Sequence, residues 1–164
     1  MDKVEKSNAM RLMEKAGLPY EAVAYPSHGE ALDAGEVARL LGVPPESVFK
    51  TLVLSGAGRH FVCVIPGNRE LDLKKAAAHF KVKSLEMCPA AALKELTGYV
   101  RGGCSPLGMK KPFPTALDES AAERPWILVS GGRIGLQIKA RPEDLAQAAG
   151  MVTARLTREA GAAG

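Results

Sequence analysis

The amino-acid sequence has 164 residues, of which 46% are hydrophobic and 24% are charged. This is the composition of an ordinary soluble globular protein, and it excludes disordered, collagen-like and membrane-spanning chains. The length predicts a single domain over residues 1–164, because domains of about 100–150 residues are the commonest. A disordered Ala/Gly-rich tail is predicted at residues 160–164. The formal net charge of +4 permits an anionic partner without requiring one.

The three cysteines, Cys63, Cys88 and Cys104, contain no CxxC pair and have no histidine at metal-ligand spacing. We therefore expect no disulfide framework, no metal and no cofactor. The charged N-terminus lacks the apolar run of a signal peptide, and no segment approaches the roughly 20 apolar residues of a membrane span. These features predict a cytoplasmic protein without a membrane partner.

Hydrophobic periodicity and turn residues predict an α/β chain in which strands and helices alternate. Asp33 and Glu36 resemble a capping box at the start of the second helix. A glycine-rich segment at residues 102–108, followed by Pro112 and Pro114, predicts irregular structure. The predicted helices cover residues 7–16, 33–42, 71–80, 89–96 and 142–149. The predicted strands cover residues 20–25, 48–54, 60–65, 82–87, 126–130 and 136–139.

The familiar catalytic motifs are missing from the sequence. It has no GxSxG elbow, P-loop, dinucleotide fingerprint or HExxH helix. His60 and His79 lie at element boundaries, which favours a surface role, and His28 in a polar loop is a slightly better candidate. Cys104 has glycines around it that could offer N–H groups to an oxyanion, but without an identifiable basic partner we favour a small buried loop residue. Cys63 is predicted to lie in the core.

Lys50 interrupts an otherwise apolar row along the strand at residues 48–54. Side chains alternate across a strand, so Lys50 shares a face with Val48, Leu52 and Leu54. Burying an unpaired ammonium is costly, so the side chain must extend to solvent, meet a carboxylate or face a cavity that receives an anion. Periodicity alone leaves solvent exposure and a ligand role equally open.

The surplus of basic residues is concentrated between Arg59 and Lys111, a segment with ten basic and four acidic residues. A solvated helix face explains much of it. Four of these lysines nevertheless flank the glycine-rich segment, as expected of a surface that contacts a phosphate backbone. Aromatic residues make up only 5% of the chain, which argues against a stacking platform for single-stranded RNA. The four lysines are Lys74, Lys75, Lys110 and Lys111.

Several segments together resemble the YbaK/EbsC family of aminoacyl-tRNA deacylases over about residues 7–156. The resemblance rests on five motifs in the family's order and spacing. They are Val48-Phe49-Lys50-Thr51-Leu52, Leu71-Asp72-Leu73-Lys74-Lys75, Thr97-Gly98-Tyr99, Gly102-Gly103-Cys104-Ser105-Pro106-Leu107-Gly108 with Lys110-Lys111, and Val129-Ser130-Gly131-Gly132.

The resemblance implies a fold in which a mixed, curved sheet closes toward a barrel with helices packed outside, as in the editing domain of bacterial prolyl-tRNA synthetases. It also implies a trans-editing enzyme. The GGxSPLG form of the loop is similar to the YbaK branch, which removes cysteine from Cys-tRNA(Pro). In that branch the cysteinyl thiol attacks its own ester and leaves as a cyclic thiolactone, so the protein needs no nucleophile. The implied partners are the acceptor end of an aminoacyl-tRNA and, as a source of tRNA specificity, prolyl-tRNA synthetase.

Site residues are carried over by position. Lys50 matches the family's essential lysine, which holds the 3′-terminal adenosine, and Gly102 matches a glycine that lets backbone N–H groups approach the ester. Tyr25, Gly103, Ser105 and Ser130 are expected to contact the substrate, and Lys74, Lys75, Lys110 and Lys111 to contact the tRNA.

One site position departs from the family. Gln137 stands where the best-studied branch has an aspartate, so it can hydrogen-bond to the substrate but carries no charge. Two alternatives therefore stay open. One is a deacylase of Ala- or Ser-tRNA, and the other is a non-catalytic module that binds tRNA or a nucleotide.

Overall fold

The computed structural model describes residues 5–159 as a mixed α/β fold. The tail predicted at residues 160–164 lies outside the described residues. The helices are α1 (Asn8–Lys15), α2 (Ala34–Leu41), α3 (Leu73–Phe80), α4 (Leu93–Thr97) and α5 (Pro142–Ala149). The strands are β1 (Glu21–Ala24), β2 (Phe49–Gly56), β3 (Arg59–Pro66), β4 (Arg69–Leu71), β5 (Glu86–Met87), β6 (Thr115–Asp118), β7 (Ile127–Ser130), β8 (Leu136–Ala140), β9 (Met151–Ala154) and β10 (Thr157–Glu159). Short 3₁₀ turns lie at Pro45–Ser47, Ala90–Ala92 and Glu119–Glu123.

The larger sheet has the strand order β5-β2-β3-β6-β9 and is mixed, as predicted. Strands β2 and β3 form a hairpin, and β6 and β9 run parallel to their neighbours. The hairpin turns on Ala57 and Gly58, both with positive φ, so its loop has two residues, whereas the predicted strands at residues 48–54 and 60–65 leave five residues between them. A turn with two positive φ angles matches the right-handed twist of the paired strands, which lets pairing continue to the end of the hairpin.

A smaller antiparallel sheet has the order β1-β8-β7, and β10 pairs with β4 alone. A single parallel bridge between Val48 and Leu128 joins the start of β2 to β7. The described strands thus form three sheets, and none of them closes on itself. Closure toward a barrel, which the family resemblance implied, is not confirmed.

Both faces of β3 are buried, which explains its unbroken apolar run. Val62 and Val64 contribute to the main core, which also contains residues of α1 and α5. Phe61, Cys63 and Ile65 point to the opposite face and form a second core with α3. Cys63 is fully buried, as predicted.

Helix α2 begins and ends where the sequence predicts. The Asp33 Oδ1 atom accepts a hydrogen bond from the Glu36 N–H at 2.8 Å, which satisfies one of the free donors at the helix start. Gly42, with φ +67°, ends the helix in a left-handed conformation. The helix packs Val37 and Ala38 into a third core with Val48 and places one side of α2 beside the site described next.

Candidate active site

A small cavity of about 110 Å³ lies between the larger and the smaller sheet. It brings together residues that are more than 100 positions apart in the chain. Five of the predicted site residues line it: Tyr25, Lys50, Gly102, Ser130 and Gln137. The rest of the lining is formed by Leu32, Ala34, Val37, Val48, Phe49, Thr51 and Cys104.

Lys50 enters the cavity from β2. Its side chain is half-buried, and Nζ donates a hydrogen bond to the carbonyl oxygen of Gly67 at 3.4 Å. Burial lowers the pKa of Lys50, while the negative charges of Glu70 and Asp33 act in the opposite direction. Of the three environments left open by the sequence, the structure therefore shows the cavity, with the carboxylates of Glu70 and Asp33 near enough to influence the ammonium group.

Gln137 lies on β8, opposite Ser130 of β7 and Val23 of β1. The residue is only 5% exposed, and its Oε1 atom has no hydrogen-bond partner within the described range 5–159. An unpaired buried acceptor costs free energy unless a ligand satisfies it. Ser130 is already engaged, since its Oγ accepts a hydrogen bond from the Gly132 N–H at 3.2 Å.

Gly102 can only be glycine here. Its φ is +86°, and a Cβ atom would lie 2.6 Å from the Cβ of Ala31. Gly103 is equally crowded, because a Cβ there would lie 2.9 Å from the Cα of Arg133. The glycine-rich segment is thus held between two other loops at the mouth of the cavity.

Gly103 and Ser105 do not line the cavity, although both were predicted to contact the substrate. The Gly103 N–H donates to the Val100 carbonyl oxygen at 2.9 Å, so it is occupied within its own loop. Ser105 is fully buried, and its Oγ accepts from the Leu107 N–H at 3.2 Å. In this geometry both residues shape the loop. Tyr25 is buried on the cavity wall, where its N–H donates to Gly135 O at 2.9 Å.

Cys104 lines the cavity but is poorly suited to act as a nucleophile. Its side chain is buried, and burial raises the pKa of the thiol to about 11, although a hydrogen bond with Thr97 acts in the opposite direction. Nucleophilic attack requires the thiolate, which is scarce at neutral pH with such a pKa. The cavity lining contains no histidine that could take up the thiol proton.

The four predicted tRNA-binding lysines lie outside the cavity and in two separate places. Lys75 is partly buried, and its Nζ donates to the Thr157 carbonyl oxygen at 2.8 Å, which ties α3 to β10. Lys74 is exposed on the same helix. Lys110 and Lys111 are exposed after the glycine-rich segment. The two pairs therefore do not form one cluster.

Thr51 is a site residue that sequence reasoning missed. Thr51 lines the same cavity as Lys50, and its Oγ1 atom is buried with no hydrogen-bond partner among residues 5–159. Strand alternation places Thr51 on the opposite face from Lys50, yet both residues contribute to the cavity wall. No sequence pattern distinguishes this threonine from an ordinary strand residue.

The residues from 5 to 159 contain no group of three His, Cys, Asp or Glu side chains arranged to hold a metal ion. Within that range no helix is long and apolar enough to cross a membrane.

Comparisons with known proteins connect this geometry to tRNA editing. A family model of the aminoacyl-tRNA editing domain matches residues 28–148. EbsC of Enterococcus faecalis, described as a candidate Cys-tRNA(Pro)/Cys-tRNA(Cys) deacylase, is 46% identical over 140 residues, which is 85% of each chain. A proline–tRNA ligase of Thermosipho africanus is 34% identical over 76 residues, which cover 46% of this chain and 14% of the ligase. The crystal structure of a candidate trans-editing enzyme for prolyl-tRNA synthetase superposes with a TM-score of 0.82 at 27% identity, covering 94% of this chain and 99% of the other.

Proposed function

Because the chain belongs to the aminoacyl-tRNA editing domain family, we propose that it is a trans-editing deacylase that removes cysteine from mischarged Cys-tRNA(Pro). Its similarity to EbsC supports cysteine as the amino acid and the proline tRNA as the carrier. The similarity to proline–tRNA ligases supports prolyl-tRNA synthetase as the enzyme whose errors it corrects.

The observation that carries the proposal is the small cavity itself. It encloses about 110 Å³ and holds an ammonium group, Lys50 Nζ, together with an unpartnered acceptor, Gln137 Oε1. An aminoacyl ester carries complementary groups: a cationic α-amino group and, next to it, the ribose and phosphates of the RNA end. We assign the α-amino group to Gln137 Oε1, and the ribose and phosphate of the 3′-terminal adenosine to Lys50.

Catalysis is proposed to use the substrate's own thiol. The cysteinyl sulfur attacks the ester carbonyl carbon, a carbon–sulfur bond forms, and the bond between that carbon and the ribose oxygen breaks. The thiol proton ends on the ribose hydroxyl, and the amino acid leaves as a cyclic thiolactone. The high pKa of Cys104 and the lack of a histidine in the lining support a mechanism without a protein nucleophile. The protein then contributes orientation, which is a large effect in intramolecular reactions.

Selectivity follows from size and from the chemistry. A cavity of about 110 Å³ favours a small side chain over a large one. A side chain without a thiol also lacks the group that closes the ring. Gly102 supports this assignment of the cavity mouth, because any side chain at that position would collide with Ala31 and narrow the entrance.

The test is a panel of tRNA(Pro) molecules charged with cysteine, alanine, serine or proline, assayed for loss of the ester. We expect fast loss from the cysteinyl species and slow loss from the other three, with thiolactone as the first product. Faster hydrolysis of the alanyl or seryl ester would instead identify a deacylase of another mischarged tRNA. Tight, salt-sensitive tRNA binding without ester loss would identify a non-catalytic binding module.

A further inference from the structure

A second cavity of about 280 Å³ adjoins the first one, and nothing in the proposed function uses it. The two cavities share the wall formed by Thr51, Gly102 and Cys104. We call this second cavity the outer cleft. It is lined on the far side by residues of β5 and of the segment leading into α4, among them Met87, Cys88 and Leu93, and Arg101 lies at its rim.

We propose that the outer cleft receives the terminal base of the RNA 3′ end while the aminoacyl ester of the same nucleotide lies in the small cavity. This inference rests on the proposed function. An aminoacyl ester is bonded to the terminal ribose, and that ribose also carries the base. If the acyl group enters the small cavity, the base must therefore lie no farther from the acyl group than the width of a ribose. The outer cleft is within that reach because it shares a wall with the small cavity.

The lining of the outer cleft fits a base. The far side of the outer cleft is aliphatic and sulfur-containing, and Met87 in its lining is 48% exposed. A nucleobase bound there would cover apolar protein surface that is in contact with water in the free protein. No carboxylate belongs to the lining. Arg101 is exposed and has no ion pair with the part of the chain that the structure describes, which leaves its guanidinium available to a phosphate.

The shared wall fits a ribose. Thr51 lines both cavities, and its Oγ1 atom is buried with no partner among the described residues. A ribose hydroxyl can donate to this atom or accept from it. Binding of the nucleotide would thus satisfy a group whose isolation in the free protein costs free energy.

A competing cavity on the other side of the Gly67 turn fits less well. Its lining contains two carboxylates, Glu46 and Glu123, beside two guanidinium groups, Arg69 and Arg124, so it offers a phosphate no net positive charge. It shares none of its lining residues with the small cavity. A nucleotide placed there would not be continuous with the ester.

The first experiment separates the base from the rest of the nucleotide. The probe is an uncharged RNA acceptor minihelix ending in CCA, compared with the same minihelix whose last nucleotide is abasic. We expect the CCA form to bind about tenfold more tightly, from burial of apolar base surface. It should also slow maleimide labelling of Cys88, mapped by peptide mass, whereas the abasic form should not. Cys88 suits this readout because Cys63 and Cys104 are buried and Cys88 is partly exposed in the cleft.

The second experiment uses matched variants on the two edge strands of the larger sheet. Met87→Glu places a charge in the outer cleft, and Val152→Glu places the same charge on β9 at the opposite edge, where Val152 is 59% exposed. Met87→Glu should abolish the preference for the CCA form, and Val152→Glu should retain it. Both positions are exposed, so both variants should fold.

The outcomes distinguish the two proposals. Equal affinity for the two minihelices, equal labelling of Cys88, or a preserved preference in Met87→Glu would overturn the inference, whether or not the protein deacylates Cys-tRNA(Pro). A base preference that is lost only in Met87→Glu, combined with no deacylation of any charged tRNA, would overturn the proposed function and leave the nucleotide site standing.

Discussion

Replacing Gln137 by leucine should stabilise the protein and damage its function. Gln137 is only 5% exposed, and its Oε1 atom has no hydrogen-bond partner in the part of the chain that the structure describes. Leucine has a similar volume and no polar atom, so the substitution removes an unsatisfied acceptor without opening a large cavity. The substitution is therefore expected to raise the stability of the protein and to lower its activity.

The expected changes in stability and activity follow from the free energies of two hydrogen bonds, one missing in the free protein and one made to the substrate. An unsatisfied buried acceptor costs about 1–3 kcal/mol, so we expect the free energy of unfolding to rise by about 1 kcal/mol once the remaining amide contacts are lost. For a chain of this size that raises Tm by about 2–4 °C. The lost hydrogen bond to the substrate ammonium is worth about 1.5–3 kcal/mol, which lowers kcat/KM about 10- to 100-fold.

The assay combines thermal unfolding with deacylation of Cys-tRNA(Pro) on the same preparation. Gln147→Leu is the matched control, because Gln147 is the only other glutamine and lies exposed on α5. It should change stability by less than about 0.5 kcal/mol and leave activity intact. A lower Tm for Gln137→Leu would show that the amide is satisfied in the folded protein, and unchanged kcat/KM would show that it does not contact the substrate. Either result refutes the reasoning.

Three further predictions concern the other site residues. Lys50→Ala should abolish deacylation while circular dichroism shows an intact fold, and substantial residual activity would remove Lys50 from the site. Cys104→Ala should leave the rate nearly unchanged across neutral pH, because burial raises the pKa of its thiol to about 11; a large loss would indicate a protein nucleophile. Lys110→Glu combined with Lys111→Glu should weaken tRNA binding and make the slope of log K against log salt shallower, and an unchanged slope would show that these exposed lysines do not meet phosphates.

Sequence reasoning located the helices and the central hairpin well, because those elements have strong local signals. Helix α5 agrees to the residue, and α2 begins at its Asp33 cap. The same approach missed four short strands, β4, β6, β9 and β10, of which β6 and β9 build the parallel half of the larger sheet. Strand β6 follows Pro112 and Pro114, and its pairing depends on residues about 50 positions away, so no local pattern indicates it.

Two kinds of sequence information predicted the candidate site: the position of Lys50 within an apolar strand, and positions matched to the family. The anomalous position of Lys50 in an apolar row left solvent, a carboxylate and a cavity open, and the structure places Lys50 in the lining of the cavity. Family positions brought Tyr25, Ser130 and Gln137 to the same place. Gly103 and Ser105 belong to the same motif as Gly102, yet they do not line the cavity, because motif membership gives no information on where each residue points. The environment of Thr51 is formed where β2 meets the glycine-rich segment at Gly102 and Cys104, and this contact is a property of the tertiary structure alone.

The bridge between Val48 and Leu128 joins the two sheets that carry the candidate site. Lys50 and Thr51 stand on one side of this seam, and Ser130 and Gln137 on the other, so the distance between the lysine and the amide is set by how the sheets pack. Leu128 is fully buried and does not line the cavity, but it packs against Val48, which does. A change in the packing beneath Leu128 would therefore shift the two halves of the site relative to each other. Because displacements of about 1 Å can cost about 100-fold in rate, we expect core residues that do not line the cavity to affect the rate as well.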